Sequence, residues 1–294
     1  MTVRMKLLLP ALLIALLLSA PGRLPAAMPP GSAINQLYED YVARRVSPPF
    51  REKMTLDDAI DVQQIFVREL QGQLGRPVGY KVGLVQREAQ KRWGVDQPIR
   101  GVLLEKMLLP DNAEVPADFA ASPLLEADLV VVVKDKGINR AGNPLEVAKH
   151  LKEIVAFIEL PDSFLATNGP PDGAMLAAAN VGARLGVLGQ RRPIRANREF
   201  IEALADMTVV MTDEAGLEMG RGSGKAILDH PLNAVLWLIE DLQSTGDSLK
   251  PGDLISLGSI RMMPAPLGHT VKVTYEGLPG GPLAVSVRLQ APSK

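Results

Sequence analysis

Residues 124–133 read Leu-Leu-Glu-Ala-Asp-Leu-Val-Val-Val-Val, an apolar strand candidate interrupted by two acids. Strand side chains alternate, so Glu126 and Asp128 point to one face, roughly 7 Å apart along the chain. Two carboxylates on one face of an apolar strand repel each other and lose solvation. A divalent cation resolves both problems, and hard oxygen ligands suit Mg²⁺, Mn²⁺ or Ca²⁺. Pattern alone leaves a second reading open, in which the strand end stays in solvent or pairs with Arg or Lys. A third acid, Glu159, closes the apolar run 154–158 and is weak evidence by itself, since charges at strand ends are common.

Composition narrows what such a strand can serve. The chain has 294 residues, 47% hydrophobic and 22% charged, enough apolar material for one large domain or a domain with a small accessory lobe. A formal net charge of −1 without a basic block argues against an electrostatic nucleic-acid binder. No cysteine is present, which removes disulfides, thiolate metal sites and cysteine nucleophiles. His150, His230 and His269 are scattered and adjoin no acidic or serine motif, so a hydrolytic triad has no support.

The first 27 residues have the layout of a secretory leader. Arg4 and Lys6 precede an apolar stretch at 7–18, and small residues follow at Ser19–Ala20 and Ala26–Ala27. That stretch is shorter than the ~20 residues a spanning helix needs. The expectation is an exported protein of the bacterial periplasm, without stable membrane anchoring once the leader is cleaved. An uncleaved N-terminal anchor is the alternative.

Beyond the leader, residues 28–76 are expected to form a helical lobe and 77–294 a strand-rich body. Helices are expected at 32–44 and from the capping-box-like Thr55-Leu-Asp-Asp to Gly72 or Gly75. Strands are expected at 78–84, 124–133, 154–160, 207–212, 254–257, 271–275 and 283–289, with helices after Asn143-Pro144 and His230-Pro231. Helices first, then many strands with few helices between them, gives an α+β fold.

Lys81 lies inside an apolar strand between Gly79 and Gly83. Glycines there permit close approach of a ligand or of another strand. A partly buried lysine can orient a carboxylate or act in proton transfer, whereas an ordinary one snorkels to solvent. Gly220-Arg-Gly-Ser-Gly-Lys225 is not a phosphate loop, because Met219 and Ala226 stand where that motif needs Gly and Ser or Thr. It reads as a tight loop leading into the next helix.

Several segments together resemble the 2-keto-4-pentenoate hydratase and 4-oxalocrotonate decarboxylase branch of the fumarylacetoacetate hydrolase superfamily. Gly79-Tyr-Lys-Val-Gly-Leu84 looks like its lysine strand, and Gly94-Val-Asp-Gln-Pro98 like the loop that follows. Leu125-Glu-Ala-Asp-Leu129 is similar to its Glu-x-Glu metal strand, with Glu159 where the third carboxylate is expected. Asn180, Arg221-Gly-Ser223, His230-Pro-Leu-Asn-Ala234 and Gly252-Asp-Leu-Ile255 match further stretches in order. The resemblance implies a mixed β-roll body with an N-terminal helical lobe, commonly oligomeric. It implies a divalent cation, Mg²⁺ or Mn²⁺, held by Glu126, Asp128 and Glu159. Lys81 is then the catalytic residue, and Tyr80, Asn180, Arg221 and Ser223 contact a small 2-oxo acid. The reaction it implies is hydration of a dienol acid such as 2-hydroxypenta-2,4-dienoate in aromatic-compound degradation, through a metal-stabilised enolate.

The chain also departs from that pattern. Ile99-Arg100 replace the expected aspartate after Pro98, Leu257 takes a threonine position, and Ala179 and Val181-Gly182 flank Asn180 in place of Asp and Ala-Ser. Two other readings therefore stand beside hydration: a 2-oxo acid decarboxylase of the same superfamily, and an exported binder of small 2-oxo acids or dicarboxylates without turnover. Carbon–carbon hydrolysis is disfavoured, because no histidine accompanies Glu126 or Lys81.

Overall fold

The computed structural model describes residues 28–166 and 169–292; the apolar stretch at 7–18, on which the leader expectation rests, lies outside them. Helices α1 (Gly31–Ala43) and α2 (Leu56–Leu74) come first. Thr55 caps α2 as its spacing predicts. Its Oγ1 accepts from Asp58 N at 3.2 Å, and Asp58 Oδ2 accepts from Thr55 N at 2.9 Å, which satisfies two amides the helix cannot. Val62, Phe66 and Leu70 make the buried side of α2, and Tyr41 of α1 stands edge-on to Phe66 with ring centroids 5.6 Å apart.

The body follows as β1 (Pro77–Gly83), α3 (Arg87–Arg92), β2 (Ile99–Leu104), β3 (Leu108–Pro110), β4 (Ala113–Val115) and β5 (Leu124–Val133). Next come α4 (Pro144–Lys149), β6 (Leu151–Leu160), α5 (Gly173–Ala178), β7 (Leu185–Pro193), α6 (Arg198–Asp206), β8 (Thr208–Thr212) and β9 (Glu218–Ser223). The chain closes with α7 (Pro231–Ser244), β10 (Leu254–Ser256), β11 (Arg261–Pro264), β12 (Thr270–Glu276) and β13 (Leu283–Leu289). An eight-stranded mixed sheet runs β2-β1-β10-β5-β6-β7-β3, with β11 also paired to β5. A five-stranded sheet runs β4-β13-β12-β8-β9. The fold is α+β with a strand-rich body and N-terminal helices, as the element order led us to expect.

Alternation along β5 sorts its two faces. Leu125, Ala127, Leu129, Val131 and Val133 join Val271, Val273, Val285 and Val287 of the second sheet in the main core. Val130 and Val132, on the other face, pack with Val155 and Phe157 of β6. Glu126 and Asp128 continue that second face.

Tyr275 ties the two sheets together. Its buried hydroxyl lies 2.8 Å from Phe157 O and 3.2 Å from Phe157 N, and it also reaches the carbonyl of Asp128. Tyr275→Phe strands these backbone groups where water does not reach, so we expect a loss of about 1–3 kcal/mol in unfolding free energy. Denaturant titration measures it, and an unchanged midpoint would mean the hydroxyl is dispensable.

The structure contains strands that the sequence pattern did not indicate, and in β7 and β9 glycines explain the omission. Gly186 and Gly189 in β7 weaken a strand pattern, yet both are needed there. A Cβ at Gly186 would sit 2.2 Å from Phe157 Cζ, and one at Gly189 would sit 2.4 Å from Val285 Cβ. Gly220 to Ser223, expected in a loop, end the edge strand β9 instead, and the turn starts only at Gly224.

Candidate active site

The register of β5 against β6 sets Glu126 opposite Glu159 and Asp128 opposite Phe157. On the other side Ser256 of β10 pairs with Val130, and Lys81 of β1 pairs with Ser256. Directly paired residues share a face, so Lys81, Ser256, Asp128, Glu126 and Glu159 meet on one side of the large sheet. Lys81 is 3%, Asp128 0% and Glu159 1% exposed, whereas Glu126 is only partly buried. Of this set, Glu126 lies nearest to solvent.

Lys81 Nζ lies 2.6 Å from Glu159 Oε1 and donates to Val181 O at 3.1 Å. Its stem crosses Gly101 of β2, where a Cβ would come within 2.8 Å of Lys81 Cγ. The glycines around Lys81 serve protein contacts, not a ligand. A Cβ at Gly79 would lie 1.9 Å from Leu254 O, and one at Gly83 would lie 2.5 Å from Val181 Cγ1. Residues Asn180, Val181 and Gly182 all have positive φ, at 55°, 54° and 62°. For the β-branched Val181 that conformation is costly, and it is what presents the carbonyl to Lys81.

Asp128 is the most firmly held acid. Its Oδ1 accepts from Gly258 N at 3.0 Å and Leu129 N at 2.5 Å, and the Ser256 hydroxyl donates to its Oδ2. Glu159 is the least satisfied. Despite the nearby ammonium, neither of its oxygens receives an aligned hydrogen bond. The buried Ser259 hydroxyl likewise has no well-aligned hydrogen bond, although it lies close enough to Glu126 to favour that group's charged form. Among the described residues, these three atoms are the only buried side-chain polar atoms left in that condition.

The electrostatics explain why the set is incomplete alone. Three carboxylates face one ammonium. Burial, then the Glu159 charge, pushes Glu126 up to about 8 although Lys81 opposes it. Burial and Glu159 likewise push Asp128 up to about 7, against the hydrogen bonds from Ser256 and Leu129. Burial pulls the Lys81 ammonium down, but Glu159 and Glu126 outweigh it and hold its pKa above the usual lysine value. A divalent cation would supply the missing positive charge, and the all-oxygen donor set fits one in charge and chemical kind. Among the described residues, however, no three acidic or histidine side chains are already gathered as a metal cage. Asp128 is engaged by Ser256 and Gly258, and Lys81 occupies one side of Glu159, so loading a cation requires these side chains to turn.

The structure does not bring the other expected contact residues to this face. Tyr80 follows strand alternation to the opposite side, where burial, Asp253 and Asp247 raise its phenol. Asn180 is fully buried, and its amide is spent on Val102, accepting from Val102 N at 2.7 Å and donating to Val102 O at 2.9 Å. Arg221 and Ser223 lie on β9 in the second sheet. There the exposed Arg221 pairs with Glu218 at 2.8 and 2.5 Å. Conversely, Ser256, Ser259 and the Val181 carbonyl belong to the site and were not singled out from sequence. A serine on either side of Leu257-Gly258, one residue out of the aligned pattern, was the available signal.

The departures also have addresses. Ile99 is buried with Val181, Ala174 and Ala177, leaving an apolar wall beside Lys81. Arg100 points to the Tyr80 side, where its guanidinium bonds Asp241 at 2.5 Å and Thr245 at 3.2 Å at the end of α7. Leu257 faces the main core, so its side chain takes nothing away from the carboxylate face.

No family model matches the chain. It is similar to 2-keto-4-pentenoate hydratase 1 of Dechloromonas aromatica, 30% identical over 78% of this chain and 87% of that one. It is 32% identical to the TodF product hydratase of Pseudomonas putida, over 76% of this chain and 81% of that one. Among solved structures, 4-oxalocrotonate decarboxylase from Pseudomonas putida G7, complexed with magnesium and adipate, superposes with a TM-score of 0.75 at 26% identity. That match covers 88% of this chain and 96% of that one.

Proposed function

Because the chain belongs to the 2-keto-4-pentenoate hydratase and 4-oxalocrotonate decarboxylase branch of the fumarylacetoacetate hydrolase superfamily, we propose that its carboxylate face is the active site of a hydratase for a dienol or 2-oxo acid. One observation carries the reading: the strand register gathers Glu126, Asp128 and Glu159 on one face, where Lys81 is their ion-paired cation among the described residues. Buried carboxylates in excess of their counter-charge are costly, and such a set on one face marks a place for a cation and a polar ligand. Glu126, Asp128 and Glu159 would hold a divalent cation, which when bound supplies Lewis-acid polarisation of the 2-oxo group and charge stabilisation of its enolate.

The protein's own groups divide the remaining work. Ser259 offers a hydroxyl, already desolvated, to an oxygen of the acid. Ser256 and Gly258 hold Asp128 on this face in the metal-free protein, and part of that hold would be exchanged for the cation as the carboxylate turns. Lys81 holds a proton at Nζ within 2.6 Å of Glu159 Oε1, which makes the pair a route for moving one proton to or from the ligand. For 2-hydroxypenta-2,4-dienoate, water adds across C4–C5 with its hydroxyl on C4, and the enol proton ends on C3. Product 4-hydroxy-2-oxopentanoate, formed with loss of the dienol ultraviolet absorbance and only when Mg²⁺ is present, is the expected result. Binding of oxalate without any turnover would replace this reading with capture of small acids.

A second reading is favoured by Ile99. With that side chain buried against Val181, position 99 contributes no carboxylate to activate water. Loss of carbon dioxide from a 2-oxo dicarboxylic acid needs the same enolate stabilisation and no attacking water. Carbon dioxide release from 4-oxalocrotonate, without a hydroxylated product, would select it.

The proposal includes export and self-association. Protein recovered from a periplasmic fraction is expected to begin after Ala20 or Ala27 by mass spectrometry. An intact Met1 in the cytoplasmic fraction would refute export. Light scattering is expected to give a mass above that of one chain.

A further inference from the structure

The register across three strands extends the carboxylate face in one direction. Glu159 of β6 pairs with Glu126 of β5, and Glu126 pairs with Met262 of β11. Paired residues in antiparallel strands share a face, so Glu159, Glu126 and Met262 form one cross-strand row, about 9–10 Å from end to end at the usual strand spacing. Exposure rises along it: Glu159 is 1% exposed, Glu126 partly buried, and Met262 48% exposed. The row therefore runs from the buried Lys81–Glu159 pair out to solvent.

An isolated exposed methionine is ordinary. This one stands opposite the acid of the set nearest to solvent, within one strand spacing of it. Alternation sends its neighbours Arg261 and Met263 to the other side of β11, where they pair with Ala127 and Leu125. Met263 packs against the main core there, and Arg261 lies against Gly220 of β9. Among the described residues, the only cation ion-paired to the carboxylate face is Lys81, at its inner end. The outer end thus presents a flexible thioether beside a carboxylate and no basic group from its own strand.

Resting on the reading of this face as a 2-oxo acid site, we propose that Met262 is a specificity-determining residue that contacts the tail of the bound acid. With the acid's 2-oxo and carboxylate end at Glu126, Glu159 and Lys81, a short carbon chain leads along the row to Met262. An uncharged tail lies against the thioether. A tail ending in a second carboxylate meets the thioether and no counter-charge from β11, and would lose solvation there without compensation. The ligand class is a 2-oxo monocarboxylic acid with an uncharged tail.

Two acids of equal length test this: 2-oxopentanoate and 2-oxoglutarate differ only in the terminal carboxylate, and pyruvate serves as the tail-less reference. In calorimetric titrations with Mg²⁺, wild type is expected to bind 2-oxopentanoate about tenfold or more tighter than 2-oxoglutarate. Met262→Lys should narrow or invert that ratio by about tenfold, each affinity being read relative to the same variant's pyruvate affinity because the new ammonium also stands opposite Glu126. Met262→Ala should weaken 2-oxopentanoate a few-fold and spare pyruvate. Both substitutions are at an exposed side chain, so the fold is expected to survive them. If pyruvate binds but the ratio is the same in wild type and Met262→Lys, the assignment of Met262 is wrong and the site stands. If none of the three acids binds, the site reading fails and the role of Met262 fails with it.

Discussion

Replacing Glu126 with alanine is expected to lower Mg²⁺ affinity by at least about 100-fold and to abolish turnover of 2-hydroxypenta-2,4-dienoate at millimolar Mg²⁺. Outer-sphere partners of a metal already cost 10–100-fold when removed, and loss of a direct ligand should exceed that. Mg²⁺ retains several waters and is held by few carboxylates, so two acids are a poor substitute for three. Here they would be poorer still, because Asp128 is engaged by Ser256 and Gly258 and Glu159 by Lys81. Glu126 is the only partly buried acid of the three and carries neither of those engagements. The same ligation should be visible without catalysis. Mg²⁺ at about 100 times its Kd adds about 2.7 kcal/mol to the stability of a protein that binds it only when folded. Wild type should show that increase in a thermal melt, and Glu126→Ala should not. Equal increases in both proteins would remove Glu126 from the ligand set.

Much of this face was legible in the sequence because it depends on periodicity. Glu126 and Asp128 are two residues apart in an apolar run, and that spacing alone puts them on one side. Strand alternation also separates Tyr80 from Lys81, and here the family pattern misled, because it marks a segment rather than a side-chain direction. What could not be read were facts of tertiary register. Nothing local says that Glu159 stands opposite Glu126, that Asn180 spends its amide on Val102, or that Arg221 and Ser223 fall in the other sheet. Ser256 and Ser259 were hidden differently. They stand on either side of Leu257-Gly258, and the Leu257 side chain, at an expected threonine position, faces the core. The strands β7 and β9 were missed because their glycines, which weaken local strand preference, are required by close packing that only the assembled fold reveals.

Lys81→Met should separate the stabilising role of the ammonium from its chemical one. The two side chains of the Lys81–Glu159 pair are 4% and 2% exposed, so neither charge is appreciably screened by water. Removing one partner of a buried pair typically costs about 3–5 kcal/mol, because the remaining charge is left uncompensated. In this protein the remaining charge also sits opposite Glu126 and near Asp128, so the metal-free variant should fall at the upper end of that range. Denaturant unfolding in EDTA measures it. Two further measurements identify the cause. Adding Glu159→Gln to Lys81→Met should recover a large part of the loss, since the double variant no longer buries an unpaired charge, and the coupling between the two sites should exceed about 1 kcal/mol. Mg²⁺ should stabilise Lys81→Met more than wild type, because the cation then supplies the positive charge that the lysine supplied. Turnover would nonetheless stay lost in Lys81→Met with Mg²⁺ bound, since the cation replaces the charge of the ammonium and not its proton. Additive losses in the double variant would show that Lys81 does not neutralise Glu159, and full activity of the Mg²⁺-loaded single variant would show that it handles no proton.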